Sequence, residues 1–86
     1  MNQPAVVMYT TNWCPYCERA RRVLRDKNVT IQEIDVESSA EKRAEMHTRS
    51  GRRSVPQIFI GDHHVGGSDD LLALEAAGKL DGLLGR

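Results

Sequence analysis

The chain is poor in cysteine, in aromatic residues and in long apolar runs, and it carries no excess charge of either sign. Each shortage removes a class of function. Twelve basic residues are matched by twelve acidic ones, so net charge would draw in neither nucleic acid nor an anionic membrane surface. No apolar stretch nears the ~20 residues that cross a bilayer as a helix. The opening Met1-Asn2-Gln3-Pro4 lacks a basic region followed by a long apolar segment, so no export signal is expected and the cytoplasm is the expected location. With one Trp, two Tyr and one Phe, the core must rest on Val, Ile, Leu, Met and Ala. At 86 residues, that core would serve a single domain covering 1–86. Only two cysteines are present, and a bridge between Cys14 and Cys17 closes almost no chain, so a structural staple accounts for them poorly.

What the chain does have is those two cysteines in one place, Trp13-Cys14-Pro15-Tyr16-Cys17, straight after the apolar run Val6-Val7-Met8-Tyr9. The order predicts a buried strand handing over to a helix. A helix N-terminus presents unpaired N–H groups and a positive dipole end, and both favour a thiolate over a thiol. Three accounts of the pair compete. A redox couple would expose Cys14 and tuck Cys17 one turn into the helix. Half a zinc site would need two further ligands, yet no other cysteine exists and His47, His63 and His64 lack the usual paired spacing. Two inert buried thiols fit badly with Pro15 and Tyr16 at a helix start. The redox account suits the residues best, and no metal site is expected.

Around this pair the chain reads as alternating strands and helices. Ala5 to Thr10 is β-branched and uncharged, a strand. Cys17, Ala20 and Leu24 recur at helical spacing, with Asn28 as a stop, while Arg19, Arg21, Arg22 and Arg25 read as a solvated basic face. Thr30–Val36 predicts a second strand. Ser38 or Ser39 can cap a helix over Ala40–Ser50, ended by Gly51. Val55–Ile60 predicts a third strand with Pro56 at its start, and Gly61-Asp62 a turn into a short fourth, His63–Val65. Adjacent His63 and His64 should point to opposite faces. Ser68 then caps a helix carrying Leu71, Leu72, Leu74 and Ala76, and a last turn or two runs from Lys79 to Leu84. A helical crossover makes the first two strands parallel, and the tight turn makes the last two antiparallel. The expected architecture is α/β: a four-stranded mixed sheet flanked by helices, ordered β-α-β-α-β-β-α.

Three separated motifs, Cys14-Pro15-Tyr16-Cys17, Ser54-Val55-Pro56 and Gly66-Gly67-Ser68-Asp69-Asp70, together resemble a glutaredoxin of the bacterial dithiol type along essentially the whole chain. The resemblance implies a thioredoxin fold and a glutathione site beside Cys14. On it, Pro56 is a cis-proline and Val55 offers its backbone N–H and C=O to the tripeptide, with Ser54 leading in and Tyr16 lining the thiol groove. Gly67, Ser68, Asp69 and Asp70 receive the γ-glutamyl end: its carboxylate sits on the N–H groups of a helix start, and an Asp, with Asp70 favoured, pairs with the ammonium. Thr11 stands where the family often has a lysine that meets the glycine carboxylate. Arg43, eleven residues before Ser54, matches another family position that contacts this group, and Arg53 is a weaker candidate cation. Trp13 would cover the rim of the site or pack beneath it.

The activity implied is glutathione-dependent thiol–disulfide exchange through Cys14 and Cys17, acting on glutathionylated or disulfide-containing proteins and on any reductase supplied with electrons. Glutathione would be a co-substrate with no permanently bound cofactor, and a monomer is the expected state. An iron–sulfur carrier role, found in some glutaredoxins, is disfavoured by Pro15.

Overall fold

A computed structural model describes residues 4–86. Residues 1–3 of the segment read for an export signal lie outside the described residues. The elements follow in the order β1 (Val6–Thr10), α1 (Pro15–Asp26), β2 (Ile31–Asp35), α2 (Ala40–Ser50), β3 (Gln57–Ile60), β4 (His63–Gly66), α3 (Ser68–Ala76) and α4 (Leu80–Leu83). The sheet runs β2-β1-β3-β4, with β1 parallel to β2 and antiparallel to β3, and β3 antiparallel to β4. This is the mixed four-stranded sheet expected from the element order.

Period-two alternation along the two central strands divides the core into two layers. Val6 and Met8 from β1, with Ile58 and Ile60 from β3, face Ala20 and Leu24 of α1, Leu71 of α3, and Leu80 and Leu84 near the C-terminus. Tyr9 and Phe59 alternate to the opposite side, where they meet Val36 and Met46 of α2. All four residues of β3 are buried, because β3 lies inside the sheet and is covered on both faces. Edge strand β2 leaves Gln32, Glu33 and Asp35 exposed. Charge along such an edge deters pairing with another chain.

The helix ends follow local chemistry. Ser39, rather than Ser38, caps α2 by accepting a hydrogen bond from the Lys42 N–H at 3.1 Å, while the Ser38 hydroxyl is turned toward Asp35. Gly51 closes α2 at φ 70°, a left-handed conformation that glycine adopts without a Cβ penalty. α1 ends at Asp26, and Asn28 takes φ 59° just beyond it, a conformation asparagine tolerates.

Several boundaries differ from expectation: β1 begins at Val6, β2 spans only Ile31–Asp35, and β3 begins at Gln57, which leaves Val55 and Pro56 in the loop before it. Gly67, not Ser68, caps α3, so Ser68 becomes its first helical and largely buried residue. β4 runs on to Gly66 because the backbone pairs Ile58 with Gly66 across a bulge before the chain turns.

α2 is tied to the sheet by more than apolar contact. The Tyr9 hydroxyl donates to Glu45 Oε2 at 2.5 Å and accepts from Arg49 Nη1 at 2.9 Å, and the Arg49 guanidinium lies 4.1 Å from the Phe59 ring centroid. Burial, followed by the Glu45 carboxylate, holds the Tyr9 hydroxyl above its ordinary pKa, so it remains a donor. Tyr9→Phe removes both bonds and keeps the ring. We expect it to lower unfolding free energy by about 1 kcal/mol in urea titration. An unchanged midpoint would assign the docking of α2 to its apolar face alone.

Candidate active site

The handover from β1 to α1 builds the reactive end of the molecule. β1 is anchored in the middle of the sheet, so the loop that follows it emerges at the C-terminal edge of the strand. Cys14 is the N-cap of α1, with extended backbone, and Pro15 occupies the first helical position, where a missing N–H is no loss. The Cys14 sulfur accepts a hydrogen bond from the Cys17 N–H at 3.1 Å. That donor is among the N–H groups with no partner inside a helix, and it stabilises negative charge on sulfur better than a neutral thiol.

Cys17 has no exposed surface, whereas Cys14 is half-buried. The two are joined as a disulfide with Cα atoms 5.2 Å apart. One sulfur is therefore reachable, and the other waits one turn behind it.

A groove of about 250 Å³ is lined by Tyr16, Arg52, Ser54, Val55, Pro56, Gly67, Ser68, Asp69 and Asp70. It brings together eight residues singled out in the sequence. One wall is the Ser54–Pro56 loop, where the Val55–Pro56 peptide bond is cis; the other is the start of α3. The first-turn N–H groups of α3 give this wall a positive end suited to a carboxylate.

Asp70 organises that wall. Its Oδ2 accepts from the Gly67 N–H at 2.9 Å and from Arg52 Nη1 at 3.0 Å. The Gly67 N–H first, and Arg52 second, hold its carboxyl below the usual range. Gly66 lies under the same carboxylate at φ 112°, and a Cβ there would collide with the Asp70 side chain and crowd Arg52. Asp69 is exposed, 3.8 Å from Arg19 of α1, and Arg19 in turn lies 5.6 Å from the Tyr16 ring centroid. α1 and α3 thus share one polar seam beside the groove.

Other expectations fare differently. Arg43 does not line this groove; it sits on a neighbouring depression with Ala40, Ala44, Met46, His47 and Arg53. It is carried there by α2. Thr11 is half-buried and outside the groove lining. Trp13 is 84% exposed and shares a shallow depression with Cys14, Pro15 and Arg21, so it is a rim residue and not a packing one.

Arg21 leaves the solvated basic face that its spacing suggested. It is half-buried, donating to Glu33 through Nε and Nη2 and to Glu18 through Nη1, each at 2.8 Å. The cause is β2, whose Glu33 stands beside α1 and pulls the guanidinium inward. Arg52 was the residue missed. It lies two before Ser54, and in extended chain residues two apart share a side, a signal that favours Arg52 over Arg53.

The glutaredoxin family model matches residues 6–65, spanning the cysteine pair and the Ser54–Pro56 loop. The chain belongs to the glutaredoxin family. A glutaredoxin of Pseudomonas aeruginosa is 58% identical over 81 residues, covering 94% of this chain and 96% of that one. Among solved structures, a glutaredoxin from Brucella melitensis superposes with TM-score 0.86 at 54% identity, over 98% of this chain and 91% of the other. A buckwheat glutaredoxin, solved as a complex with glutathione, superposes with TM-score 0.84 at 28% identity over 95% of this chain and 76% of its own. The fold is therefore that of the glutaredoxins and thioredoxins, and members of this family are thiol–disulfide oxidoreductases.

In this glutaredoxin the Asp70 carboxylate holds the Gly67 N–H and Arg52 most strongly when ionised. Because its folded pKa is depressed, its stabilising contribution is complete above the unfolded value of about 3.9 and is lost as pH falls through the lower folded value. Asp70→Asn should therefore destabilise the protein near neutrality. The gap between variant and parent should close as thermal unfolding is followed below about pH 4. A gap that stays constant with pH would assign the effect to shape and not charge.

Proposed function

We propose that this chain is a glutathione-dependent oxidoreductase that reduces glutathionylated and disulfide-containing proteins through Cys14, with Cys17 as the resolving thiol. The observation that carries this reading is the asymmetry of the pair: a reachable sulfur held against a helix-start N–H, and a wholly buried one behind it. The groove beside Tyr16 offers about 250 Å³, with Arg52, Asp69 and Asp70 supplying charge in its lining.

In this reading Val55 pairs its backbone with the glutathione peptide, while Ser54, Pro56 and Tyr16 shape the floor and side of the groove. The γ-glutamyl carboxylate settles on the N–H groups at Ser68 and Asp69, and Gly67 keeps the approach open. Asp70 uses Oδ2 for Gly67 and Arg52, which leaves Oδ1 for the ammonium, and Asp69 adds negative charge at the same end. Arg52, rather than Arg43, is the arginine that lines the groove itself.

The chemistry needs no metal or nucleotide. The Cys14 thiolate attacks the glutathione sulfur of a mixed disulfide; the S–S bond breaks and the substrate protein leaves as a thiolate. Attack on the protein-side sulfur would instead leave the substrate on Cys14. A second glutathione thiolate then attacks the glutathione sulfur held on Cys14, releasing oxidised glutathione and regenerating the Cys14 thiolate. On a protein disulfide, Cys14 forms a mixed disulfide with one substrate sulfur. Cys17 displaces that sulfur, giving the Cys14–Cys17 bridge seen here, which two glutathiones reduce. Such a cycle belongs in a compartment where glutathione is kept reduced, the cytoplasm. A monomer suffices, since every residue named comes from one chain.

Cys14→Ser should abolish both reactions. Cys17→Ser should keep deglutathionylation and lose the reduction of protein disulfides. A glutathione-coupled assay on a glutathionylated peptide and on a disulfide protein checks this, and equal residual activity in the two variants would refute the assignment of roles. Thr11→Lys should lower the apparent pKa of the Cys14 thiol in alkylation kinetics, because a cation beside a thiolate favours the charged form. If the profile does not move, the helix start already supplies what Cys14 needs.

A further inference from the structure

Gln57 opens β3 immediately after the Ser54-Val55-Pro56 loop, and its side chain has no exposed surface. A primary amide buried there is costly unless its hydrogen-bonding groups are used. They are. Nε2 donates to the Ser54 carbonyl at 2.9 Å and also reaches the Ser54 hydroxyl at 3.3 Å, while Oε1 lies 2.8 Å from His64 Nε2.

Elementary chemistry settles the hydrogens. A carbonyl cannot donate, so the amide nitrogen must face Ser54. That turns the amide oxygen to His64, and His64 Nε2 must therefore carry the hydrogen. The His64 ring is held in this pose by stacking on Phe59, with centroids 4.8 Å apart. Burial, then Arg52, lowers its pKa, so the neutral Nε2–H tautomer is the resting form near neutrality.

The placement of this pair matters more than its strength. Gln57 grips the carbonyl of Ser54, in one wall of the groove. His64 sits on β4, two residues before Gly66, in the strand that leads into the other wall. Neither side chain lines the groove.

The geometry points to Gln57 and His64 as positioning residues that set the separation of the two walls, and with it the alignment of the Val55 backbone that a bound tripeptide would use. This deepens the glutathione reading and rests on it. Substrate would meet neither residue; both act through Ser54. Loosening them should weaken uptake of the glutathionyl group while leaving the sulfur chemistry at Cys14 alone.

The test uses Gln57→Met, which keeps volume and loses both contacts, His64→Phe, which keeps the stack and loses the donor, and His64→Gln, which can restore a donor near Nε2. On a glutathionylated peptide, the first two should raise KM about fivefold with kcat little changed, the loss expected for about one hydrogen bond. His64→Gln should recover most of the loss, and the alkylation rate of Cys14 should match the parent in all three. A KM unchanged in both loss variants, or a fall in kcat without a rise in KM, overturns the inference.

A measurement on the parent protein guards against variants that do not fold. Two-bond nitrogen–proton correlations of the imidazole should report the Nε2–H tautomer at His64, and an Nδ1–H tautomer overturns the inference. A parent that shows no saturable dependence on the glutathionylated peptide would sink the glutathione reading itself. A saturable parent with indifferent variants sinks only the positioning role.

Discussion

The hydrogen bond from the Cys17 N–H to the Cys14 sulfur is the constraint around which the rest of the molecule is arranged. It exists because α1 begins immediately after the cysteine, and α1 begins there because β1 is fixed in the middle of the sheet with Pro15 ready to start a helical turn. Ala20 and Leu24, wholly buried against Val6 and Met8, keep the helix axis from rotating. Rotation would swing Cys17 out of the core and remove the asymmetry between the two sulfurs. The reactivity of Cys14 is thus a property of core packing as much as of the motif that spells it.

Charge is handled locally beside this site, in keeping with a chain of balanced composition. Arg52 and Asp70 form a half-exposed pair at 3.0 Å, and Arg19 approaches Asp69 at 3.8 Å, so each acid at the start of α3 has a cation from elsewhere in the chain. Exposed pairs of this kind contribute little to stability. Their consequence is positional: they gather both signs of charge beside the groove.

Much of this was legible because local signals agreed with the global fold. The Ser39 and Gly51 boundaries of α2 follow from a hydroxyl and a glycine in the right places, and the parallel and antiparallel pairings follow from connection lengths. Residues on backbone-defined features, Ser54 to Pro56 and Gly67 to Asp70, come together in one groove. What escaped was side-chain direction across elements. Arg21 turns inward because Glu33 lies on a strand distant in sequence. Arg43, on α2, lines a different depression, and Arg52, in the loop after Gly51, lines the groove. The Arg21 contact lies with a residue distant in sequence, whereas Arg52 carried a local signal in its spacing to Ser54. The α3 cap lies at Gly67 because Asp70, three residues on, reaches back to the Gly67 N–H.

The β3–β4 hairpin explains why the two walls of the groove can be treated as one object. Each wall is a segment that an isolated chain would leave loose, a proline loop on one side and a paired glycine turn on the other. They are joined by two short strands with a bulge at Ile58/Phe59, and that bulge shifts the register so that Gly66 lies opposite Ile58. The shift carries the chain into φ 112° at Gly66, where only the lack of a Cβ lets the Asp70 carboxylate close over the backbone and reach Gly67. A side chain at Gly66 would therefore act on the groove from beneath, by displacing Asp70 and Arg52 together, although it need not project into the groove itself. The charged residues that line the groove thus inherit their positions from a strand register.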